Sequence, residues 1–193
     1  MTASSHNPLR IICFSGKRKS GKDYVTELLH QRVPGSVVMR LSAPIKQHWA
    51  ESLNLDLKEL LSDGRFKEDH RAQMIAWGEK ERAKDPSIFC QSAIQMSNGP
   101  DYPFWIVADT RRRTDLRFFR DNYPGRVTTV RIVASDLIRM QRGFFFTPGV
   151  DDAESECDLD SVTDWDYVIT NEGSGEDGNC SLDADLERLT NSC

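Results

Sequence analysis

The chain has 193 residues, of which 38% are hydrophobic and 28% are charged, a composition typical of a globular protein with a substantial core. Its net charge of −5 argues against a nucleic-acid-binding protein, because such proteins usually carry a basic balance. No apolar run is long enough to span a membrane, and residues 1–8 lack the pattern of a signal peptide.

The cysteines and the last residues give an expectation about the compartment. Five cysteines are scattered along the chain without a C-x-x-C pair, which is typical of reduced thiols rather than of a disulfide frame or a zinc site. The last residues match no peroxisomal signal. We therefore expect a cytoplasmic protein, in the cytosol, with one domain over residues 1–193, no membrane contact and a monomeric state.

A glycine-bounded basic loop follows the first predicted strand. Residues 9–14 form an apolar run that predicts a buried strand, and residues 23–32 carry apolar side chains at helical spacing. Between them, Gly16–Asp23 has the Gly-x4-Gly-Lys spacing of a phosphate-binding P-loop, in which backbone N–H groups and a helix N-terminus face a phosphate. We expect Lys22 to reach the terminal phosphates of a nucleotide. The alternative is a basic turn that contains two glycines by chance.

Two features of this loop are unusual. Asp23 stands where a P-loop normally has the Ser or Thr that ligates Mg²⁺. Lys17, Arg18 and Lys19 are three adjacent cations, which repel one another and need anions nearby. The loop therefore predicts a site that holds more negative charge than one nucleotide brings.

The next part of the chain predicts one strand followed by helices. Residues 36–41 form an apolar strand, and Pro44 is suited to open the helix after it. Three helices are then expected, at residues 45–53, 65–84 and 86–96. A Leu-rich piece at residues 55–61 separates the first two. For most charged residues of the second helix, the simplest interpretation is a solvated face with ion pairs between successive turns.

The most apolar run in the middle of the chain, residues 104–108, is followed by a charged turn at residues 109–113. An apolar strand that ends in Asp, downstream of a P-loop, resembles a Walker B element. Because ligands bind beyond the carboxyl ends of parallel strands, we expect Asp109 and the arginines after it to lie beside Gly16–Asp23. The alternative is a simple turn in which Asp109 or Thr110 caps the next helix.

Two arginines follow the fourth predicted strand, residues 127–133. Arg139 and Arg142 lie three residues apart, on one face of a short helix at residues 135–143. Such a pair suits a lid that closes over phosphates in a phosphoryl transferase. An exposed basic helix explains the pattern equally well, so both interpretations stay open.

The chain is expected to end with an acidic loop, a strand and a helix. The acids of residues 151–156 are able to ligate a metal, but a solvated capping segment is the simpler interpretation. Residues 166–170 predict the fifth strand, residues 174–180 are expected to be mobile, and residues 181–190 close the chain as a helix. Five strands alternating with helices predict a three-layer α/β/α domain with a five-stranded parallel sheet.

Several segments together resemble the animal-type phosphomevalonate kinases. These segments are Phe14–Asp23, Met74–Glu79, Asp109–Arg112, Gln141–Gly143 and Phe146–Cys157. The resemblance covers about residues 9–172, and its last segment is the most specific. In this family an Asp follows the lysine of the loop, so Asp23, which departs from the general P-loop pattern, supports the resemblance.

The resemblance implies a P-loop fold like that of the nucleoside monophosphate kinases, with a helical acceptor-binding region and a short lid at about residues 135–145. It implies transfer of the γ-phosphoryl group of ATP to (R)-5-phosphomevalonate, which gives (R)-5-diphosphomevalonate and ADP in the mevalonate route to isoprenoids and sterols, including cholesterol. Mg²⁺ is the implied cofactor, with ATP as co-substrate.

The resemblance also implies roles for individual residues, carried over by position. The residues expected to carry catalysis are Lys22, Arg18, Lys19 and Arg111. Those expected to bind ATP are Gly16, Lys17, Arg18, Lys19, Ser20, Gly21, Lys22, Asp23, Arg142, Asn171 and Glu172. Those expected to bind phosphomevalonate are Arg111, Arg112, Lys67, Arg82 and Asn171. The implied lid residues are Arg139 and Arg142, and Mg²⁺ would be held, directly or through water, by Asp23 and Asp109.

Two other functions stay open at this point. One is another small-molecule or nucleoside monophosphate kinase of the same fold, and the other is an ATP-binding switch without turnover. A switch has no need of a second anion site, so the arginine clusters argue against it. Gln91 stands where the family can have a basic residue, so one substrate-side cation is either missing or replaced.

Overall fold

The computed structural model describes residues 7–54, 65–173 and 176–191, with the backbone alone for residues 65–69 and 176–180. The Leu-rich segment expected at residues 55–61 lies outside the described residues. The described strands are β1 (Arg10–Gly16), β2 (Ser36–Met39), β3 (Phe104–Val107), β4 (Val127–Val133) and β5 (Tyr167–Thr170). The described helices are α1 (Lys22–Arg32), α2 (Ala43–Leu53), α3 (Arg65–Lys84), α4 (Ile88–Met96), α5 (Arg113–Asn122), α6 (Asp136–Gln141), α7 (Glu154–Cys157) and α8 (Glu176–Asn191).

The strands form a five-stranded sheet in the order β2-β3-β1-β4-β5, and every pair is parallel. The central strand β1 pairs on both sides, with Ile12 opposite Ile106 of β3 and Thr128 of β4. A strand in this position is buried on both faces, which explains why residues 11–14 form a continuous apolar run. The α/β fold with a five-stranded parallel sheet is therefore confirmed.

Helices cover both faces of the sheet. Neighbouring residues of a strand point to opposite faces, so Ile12 and Phe14 pack into one core cluster, whereas Ile11 and Cys13 pack into the other. Helices α1 and α8 cover the first cluster, and helices α4 and α5 cover the second. The result is the three-layer arrangement that alternating strands and helices predict.

A smaller apolar cluster joins α2 to α3 beyond the end of β2. Ala50 and Met74 are buried in it, with Ile45 and Trp49 packed against them. The Trp77 ring adds a stacked contact with His48 at 4.0 Å between ring centroids, and a tilted one with Phe89 of α4 at 5.9 Å. These contacts hold the long charged helix α3 beside the carboxyl end of the sheet.

Two element boundaries differ from the prediction. Strand β2 ends at Met39 rather than Leu41, because the backbone N–H groups of Leu41 and Ser42 turn to the carboxylate of Asp109. Helix α8 begins at Glu176, so it overlaps the segment 174–180 that was expected to be mobile. Within the described residues, no helix combines the length and apolarity needed to cross a membrane.

The buried ring of Phe119 gives a test of the second core cluster. Phe119 has no exposed surface, and its replacement in Phe119→Ala leaves a cavity between α5 and the sheet. We expect the free energy of unfolding, measured by denaturant titration, to fall by about 3–5 kcal/mol. The exposed Phe146 offers a control, since Phe146→Ala should change it by less than about 0.5 kcal/mol. Equal effects of the two substitutions would contradict this assignment of the core.

Candidate active site

The carboxyl ends of the strands meet at one edge of the sheet and line a cavity of about 780 Å³. Strand β1 ends at Gly16, where the glycine-bounded loop begins, and Arg40 follows β2 directly. Asp109 lies just beyond β3, and all three residues line the cavity. The parallel topology therefore brings Gly16–Asp23 and Asp109 to the same edge, as the order of the strands predicts.

The loop Gly16–Asp23 has the backbone conformation that its sequence requires. Lys19 and Gly21 both lie in the left-handed region, with φ of 62° and 83°, and α1 begins directly after Gly21. A Cβ atom on Gly21 would lie 2.1 Å from Nδ2 of Asn171, so the position has no room for a side chain. The Ser20 hydroxyl is buried without a hydrogen-bond partner among the described residues. These features are typical of a loop that wraps its backbone around an anion.

Arg142 and Asn171 contact the backbone of this loop. Arg142 donates through Nη1 to the carbonyl of Ser20 at 3.1 Å and through Nη2 to Oδ1 of Asn171 at 3.1 Å. Asn171 donates through Nδ2 to the carbonyl of Ser20 at 3.0 Å. Arg142 also lines the cavity, whereas Asn171 is buried and lies outside its lining. The structure therefore assigns both residues a part in shaping the loop, and direct ligand contact by Asn171 stays a prediction.

Arg139 and Glu172 lie outside the cavity lining. Arg139 is buried, donates through Nε to the carbonyl of Arg18 at 2.9 Å and lies over the Phe144 ring at 3.9 Å. The exposed Glu172 accepts hydrogen bonds from the backbone N–H and the hydroxyl of Ser135, at 2.7 and 2.5 Å. Arg139 thus contacts the backbone of the loop from outside the cavity. Its role in a lid stays a prediction.

Two cations of the loop, Lys17 and Arg18, are paired with acids from residues 151–160. Nη1 of Arg18 lies 2.9 and 3.1 Å from the two carboxylate oxygens of Asp151. Nζ of Lys17 lies 2.6 Å from Asp160, which also accepts from Arg131 at 2.7 Å. The acidic loop that the sequence treats as a solvated cap therefore supplies anions to the basic loop.

The three arginines after β3 have different environments. Arg111 lines the cavity and forms an ion pair with Glu156. Arg112 also lines the cavity and pairs with two acids, Glu79 and Glu154. Arg113 lies outside the lining, where its backbone N–H donates to Asp158 and its side chain donates to Ser161. Of these three arginines, Arg111 and Arg112 are thus the two that line the cavity.

Asp115 is a buried residue that the sequence pattern does not single out. One carboxylate oxygen accepts the backbone N–H groups of Arg111 and Arg112, at 3.1 and 3.0 Å. The other accepts Nη1 of Arg82 at 2.5 Å, and Arg82 also lines the cavity. An acid in the first turn of a helix is a common cap, so the pattern gave no reason to expect this wider role. Asp115 therefore links the turn after β3 to Arg82 of α3 through hydrogen bonds to both.

Other cavity cations also lack an assignment from sequence. They are Arg40, Lys46 and Arg71. Arg40 directly follows a strand, which is a position that parallel sheets use for ligands, and Arg71 lies one helical turn from Lys67. The side chain of Lys67 lies outside the described residues, so its role stays a prediction.

The cavity lining carries a large excess of positive charge. Among the described residues, eleven Lys or Arg side chains line it against four acids, a surplus of seven positive charges. The acids are Asp23, Glu79, Asp109 and Glu156. A surplus of this size suits polyanionic ligands with several phosphate groups.

Two carboxylates of the cavity keep their negative charge. Burial opposes ionisation of Asp109, but the charges of Lys22 and Arg111, and hydrogen bonds from Ser42 and Leu41, lower its pKa below the usual value. Desolvation by the cavity walls likewise opposes ionisation of Asp23, yet Lys22, Arg40 and Arg111 lower its pKa. Both groups are therefore anionic at neutral pH.

The two carboxylates differ as candidate metal ligands. Both oxygens of Asp109 accept backbone N–H groups, at 2.5 and 3.1 Å, whereas the Asp23 side chain is exposed and contacts Lys22 at 3.2 Å. Among the described residues, no cluster of three or more His, Cys, Asp or Glu side chains is arranged to hold a metal ion. A metal carried by phosphates needs only one or two protein carboxylates, and Asp23 fits that need better than Asp109.

Comparisons of the sequence with known proteins identify its family. A family model described as phosphomevalonate kinase matches residues 14–125. A curated phosphomevalonate kinase of Drosophila melanogaster is 44% identical over 168 residues, which cover 85% of this chain and 89% of that protein.

Two solved structures support the fold alone. TT1252 from Thermus thermophilus has a TM-score of 0.53 at 21% identity and covers 95% of this chain and 99% of its own. A tunicamycin resistance protein of Deinococcus radiodurans has a TM-score of 0.50 at 15% identity, with 95% and 94% covered. The sequence match over most of both chains, and not these distant structures, decides the assignment: the chain belongs to the phosphomevalonate kinase family.

Proposed function

We propose that this chain transfers the γ-phosphoryl group of MgATP to (R)-5-phosphomevalonate, giving (R)-5-diphosphomevalonate and ADP in the mevalonate route to isoprenoids and sterols. The observation that carries the proposal is the layout of one cavity. The P-loop lines it together with a second set of cations from other elements, Arg82, Arg111 and Arg112. One set suits a nucleotide, and the other suits a second phosphate-bearing ligand.

The acceptor in this reaction needs no general base. A phosphate monoester has a second pKa of about 6, so near neutral pH it is largely a dianion and already a nucleophile. The difficulty is electrostatic, since two unit charges 4 Å apart repel by about 4 kcal/mol at an effective dielectric constant near 20. Cations that neutralise both anions and hold them in line therefore supply the catalysis.

The chain offers cations on both sides of the transferring group. On the nucleotide side, Lys22, Arg18 and Lys19 line the cavity from the loop, and we assign them to the phosphates of ATP. On the acceptor side, we assign Arg111 and Arg112 to the phosphate of phosphomevalonate, with Arg82 held beside them by Asp115. Lys67 belongs to this side by position along α3.

Mg²⁺ completes the proposed reaction as the ion bound to ATP. Asp23 is the carboxylate suited to hold it, and Asp109 would act through water, because its oxygens are engaged by backbone N–H groups. The ion neutralises charge on the phosphates when it is bound. The residues of this chain then orient the two substrates and exclude water.

Three further assignments belong to the same proposal. Residues 135–145 form a lid in which Arg142 moves with the nucleotide, and the chain acts as one monomeric domain in the cytosol. The free thiols of Cys13, Cys90 and Cys157 are consistent with a reducing compartment.

The proposal is tested by a panel of acceptors with MgATP. Phosphomevalonate, mevalonate and the nucleoside monophosphates are each incubated with the protein while ADP release is followed. We expect turnover with phosphomevalonate alone. Turnover with a nucleoside monophosphate instead would assign the chain another kinase activity, and ATP binding without phosphate transfer in a single-turnover experiment would make it a switch.

Removal of the loop lysine tests the nucleotide side. Lys22→Met takes away a side chain that is nearly buried at the start of α1, so the transferring phosphoryl group loses a direct counter-charge. We expect kcat to fall by roughly a thousandfold or more with the fold retained. Lys84→Met, which removes an exposed lysine paired with Glu81 outside the cavity, should leave kcat unchanged. Near-normal turnover of Lys22→Met would remove the loop from the mechanism.

Neighbouring arginines with different environments test the acceptor side. Arg111→Met removes a guanidinium from the cavity, whereas Arg113→Met removes one that lies outside it. We expect Arg111→Met to raise the KM for phosphomevalonate by about tenfold or more and the KM for ATP much less. Arg113→Met should change neither constant by more than about twofold. A change confined to the KM for ATP would move Arg111 to the nucleotide side.

The pH profile tests the role of the acceptor dianion. The pKa values of Asp23 and Asp109 are lowered, so neither group titrates near pH 6. We expect kcat/KM for phosphomevalonate to fall as pH drops through about 6, where the acceptor phosphate gains a proton, and to level off above it. If Asp23→Asn is less active but shows the same apparent pKa, then that pKa belongs to the substrate and not to Asp23. A profile that is flat down to pH 5 would contradict this account.

A further inference from the structure

The acidic segment, residues 151–156, has no role in the proposed reaction so far. From the sequence alone, the simplest interpretation of its acids is a solvated capping segment. The structure shows instead that two of its acids are almost completely buried. The side chains of Asp151 and Glu156 are only 7% and 5% exposed, and each forms an ion pair with a cavity cation.

Asp151 is held by the backbone of its own loop as well as by its contact with a cation. Its Oδ2 accepts the backbone N–H of Thr147 at 2.8 Å, so the carboxylate is tied to its own loop. Both of its oxygens lie within 3.1 Å of Nη1 of Arg18. The guanidinium of Arg18 thus contacts Asp151, and its Cζ lies 5.9 Å from the centroid of the Phe144 ring.

Glu156 makes the corresponding contact on the acceptor side. It lies in the short helix α7 and forms an ion pair with Nη1 of Arg111. The same nitrogen lies 3.4 Å from the carbonyl of Ser155, so backbone and side chain of one turn both receive this guanidinium. A single segment therefore contacts one cation of the P-loop and one of the turn after β3.

The remaining acids of the segment behave differently. The Glu154 side chain is 80% exposed, and its contact with Arg112 lies at the surface, where ion pairs contribute little. Asp152 is exposed and accepts the backbone N–H of Gly149 at 2.6 Å, without a contact to a cavity cation. The burial of Asp151 and Glu156 is thus selective within the segment.

We infer that Asp151 and Glu156 are positioning residues, which hold the guanidinium groups of Arg18 and Arg111 in place at the cavity for the phosphates that they are assigned to bind. Arginine side chains have many rotamers, so fixing them before the substrate arrives removes an ordering cost from binding. The inference rests on the proposed function, because it assigns Arg18 to the nucleotide and Arg111 to the acceptor.

The alternative to positioning is competition, in which the two acids occupy the arginines and so weaken the binding of phosphates. A competitor has to withdraw when the substrate binds, but Asp151 is tied to Thr147 and both carboxylates are buried, so withdrawal would break several contacts. Positioning and competition predict opposite changes in substrate affinity when an acid is neutralised. Positioning predicts weaker substrate binding when the acid is neutralised, and competition predicts tighter binding.

The experiment measures both KM values and kcat for Glu156→Gln and Asp151→Asn, with Asp152→Asn as matched control for loss of one negative charge from the same segment. We expect Glu156→Gln to raise the KM for phosphomevalonate by about tenfold with the KM for ATP changed less than about twofold. Asp151→Asn should instead lower kcat/KM for ATP by about tenfold, and Asp152→Asn should change neither substrate by more than about twofold. A fall in KM in either variant would overturn the inference in favour of competition.

Double-mutant cycles separate positioning from a merely structural role. If Glu156 acts through Arg111, then Glu156→Gln has no further effect in the Arg111→Met background, but keeps its full effect in the Arg18→Met background. Asp151→Asn should show the reverse dependence. Effects that multiply in every background would overturn the inference. Should Glu156→Gln fail to fold, Glu156→Asp keeps the charge but withdraws it from Arg111, and it should raise the KM for phosphomevalonate as well.

Direct ATP binding keeps this test distinct from that of the proposed function. The dissociation constant of ATP for wild type, Asp151→Asn, Arg18→Met and the double variant needs no acceptor. If wild type does not turn over phosphomevalonate, the proposed function fails while this cycle still decides the role of Asp151. If wild type turns it over but the cycle shows no coupling, the inference alone fails.

Discussion

At the carboxyl edge of the sheet, the mutual repulsion of clustered cations determines where acidic side chains have to lie. Among the described residues, eleven Lys or Arg side chains line one cavity, and four acids in that lining leave most of their charge uncompensated. The net charge of −5 shows that the chain has enough acids to offset these cations, but an acid lowers their repulsion only where it lies close to them. Two buried carboxylates that do this, Asp109 and Asp115, each accept more than one hydrogen bond.

Asp109 and Asp115 show how these carboxylates also set the backbone. Asp109 accepts the N–H groups of Leu41 and Ser42, which ends β2 and turns Arg40 toward the cavity edge. Asp115 accepts the N–H groups that follow β3 and holds Arg82 from α3. Because each acid joins two elements, the positions of the cations follow from the fold rather than from their own flexible side chains. Electrostatic compensation and substrate positioning are thus the same set of contacts.

The sequence predicts the edge of the sheet well and the partners of its cations poorly. The glycine spacing, the apolar strands and the parallel order are local patterns, and they place Gly16–Asp23 beside Asp109 by topology alone. One partner of Arg18 is Asp151, which is 133 residues away, and no local pattern chooses it among the acids of the same segment. The packing of Arg139 behind the loop is likewise not visible in its spacing from Arg142, and its role in a lid stays a prediction.

Asp23 is explained by this electrostatic arrangement. A Ser or Thr after the loop lysine would offer a metal a neutral hydroxyl, whereas Asp23 offers a charge in a cavity with a surplus of seven cations. A carboxylate there costs little, because Lys22, Arg40 and Arg111 keep it ionised. In the proposed reaction Asp23 would draw a divalent ion toward the phosphates, while Lys17 and Arg18 of the loop are paired with Asp160 and Asp151. An acceptor that is itself a phosphate requires the surplus, and the surplus in turn makes an aspartate at this position favourable.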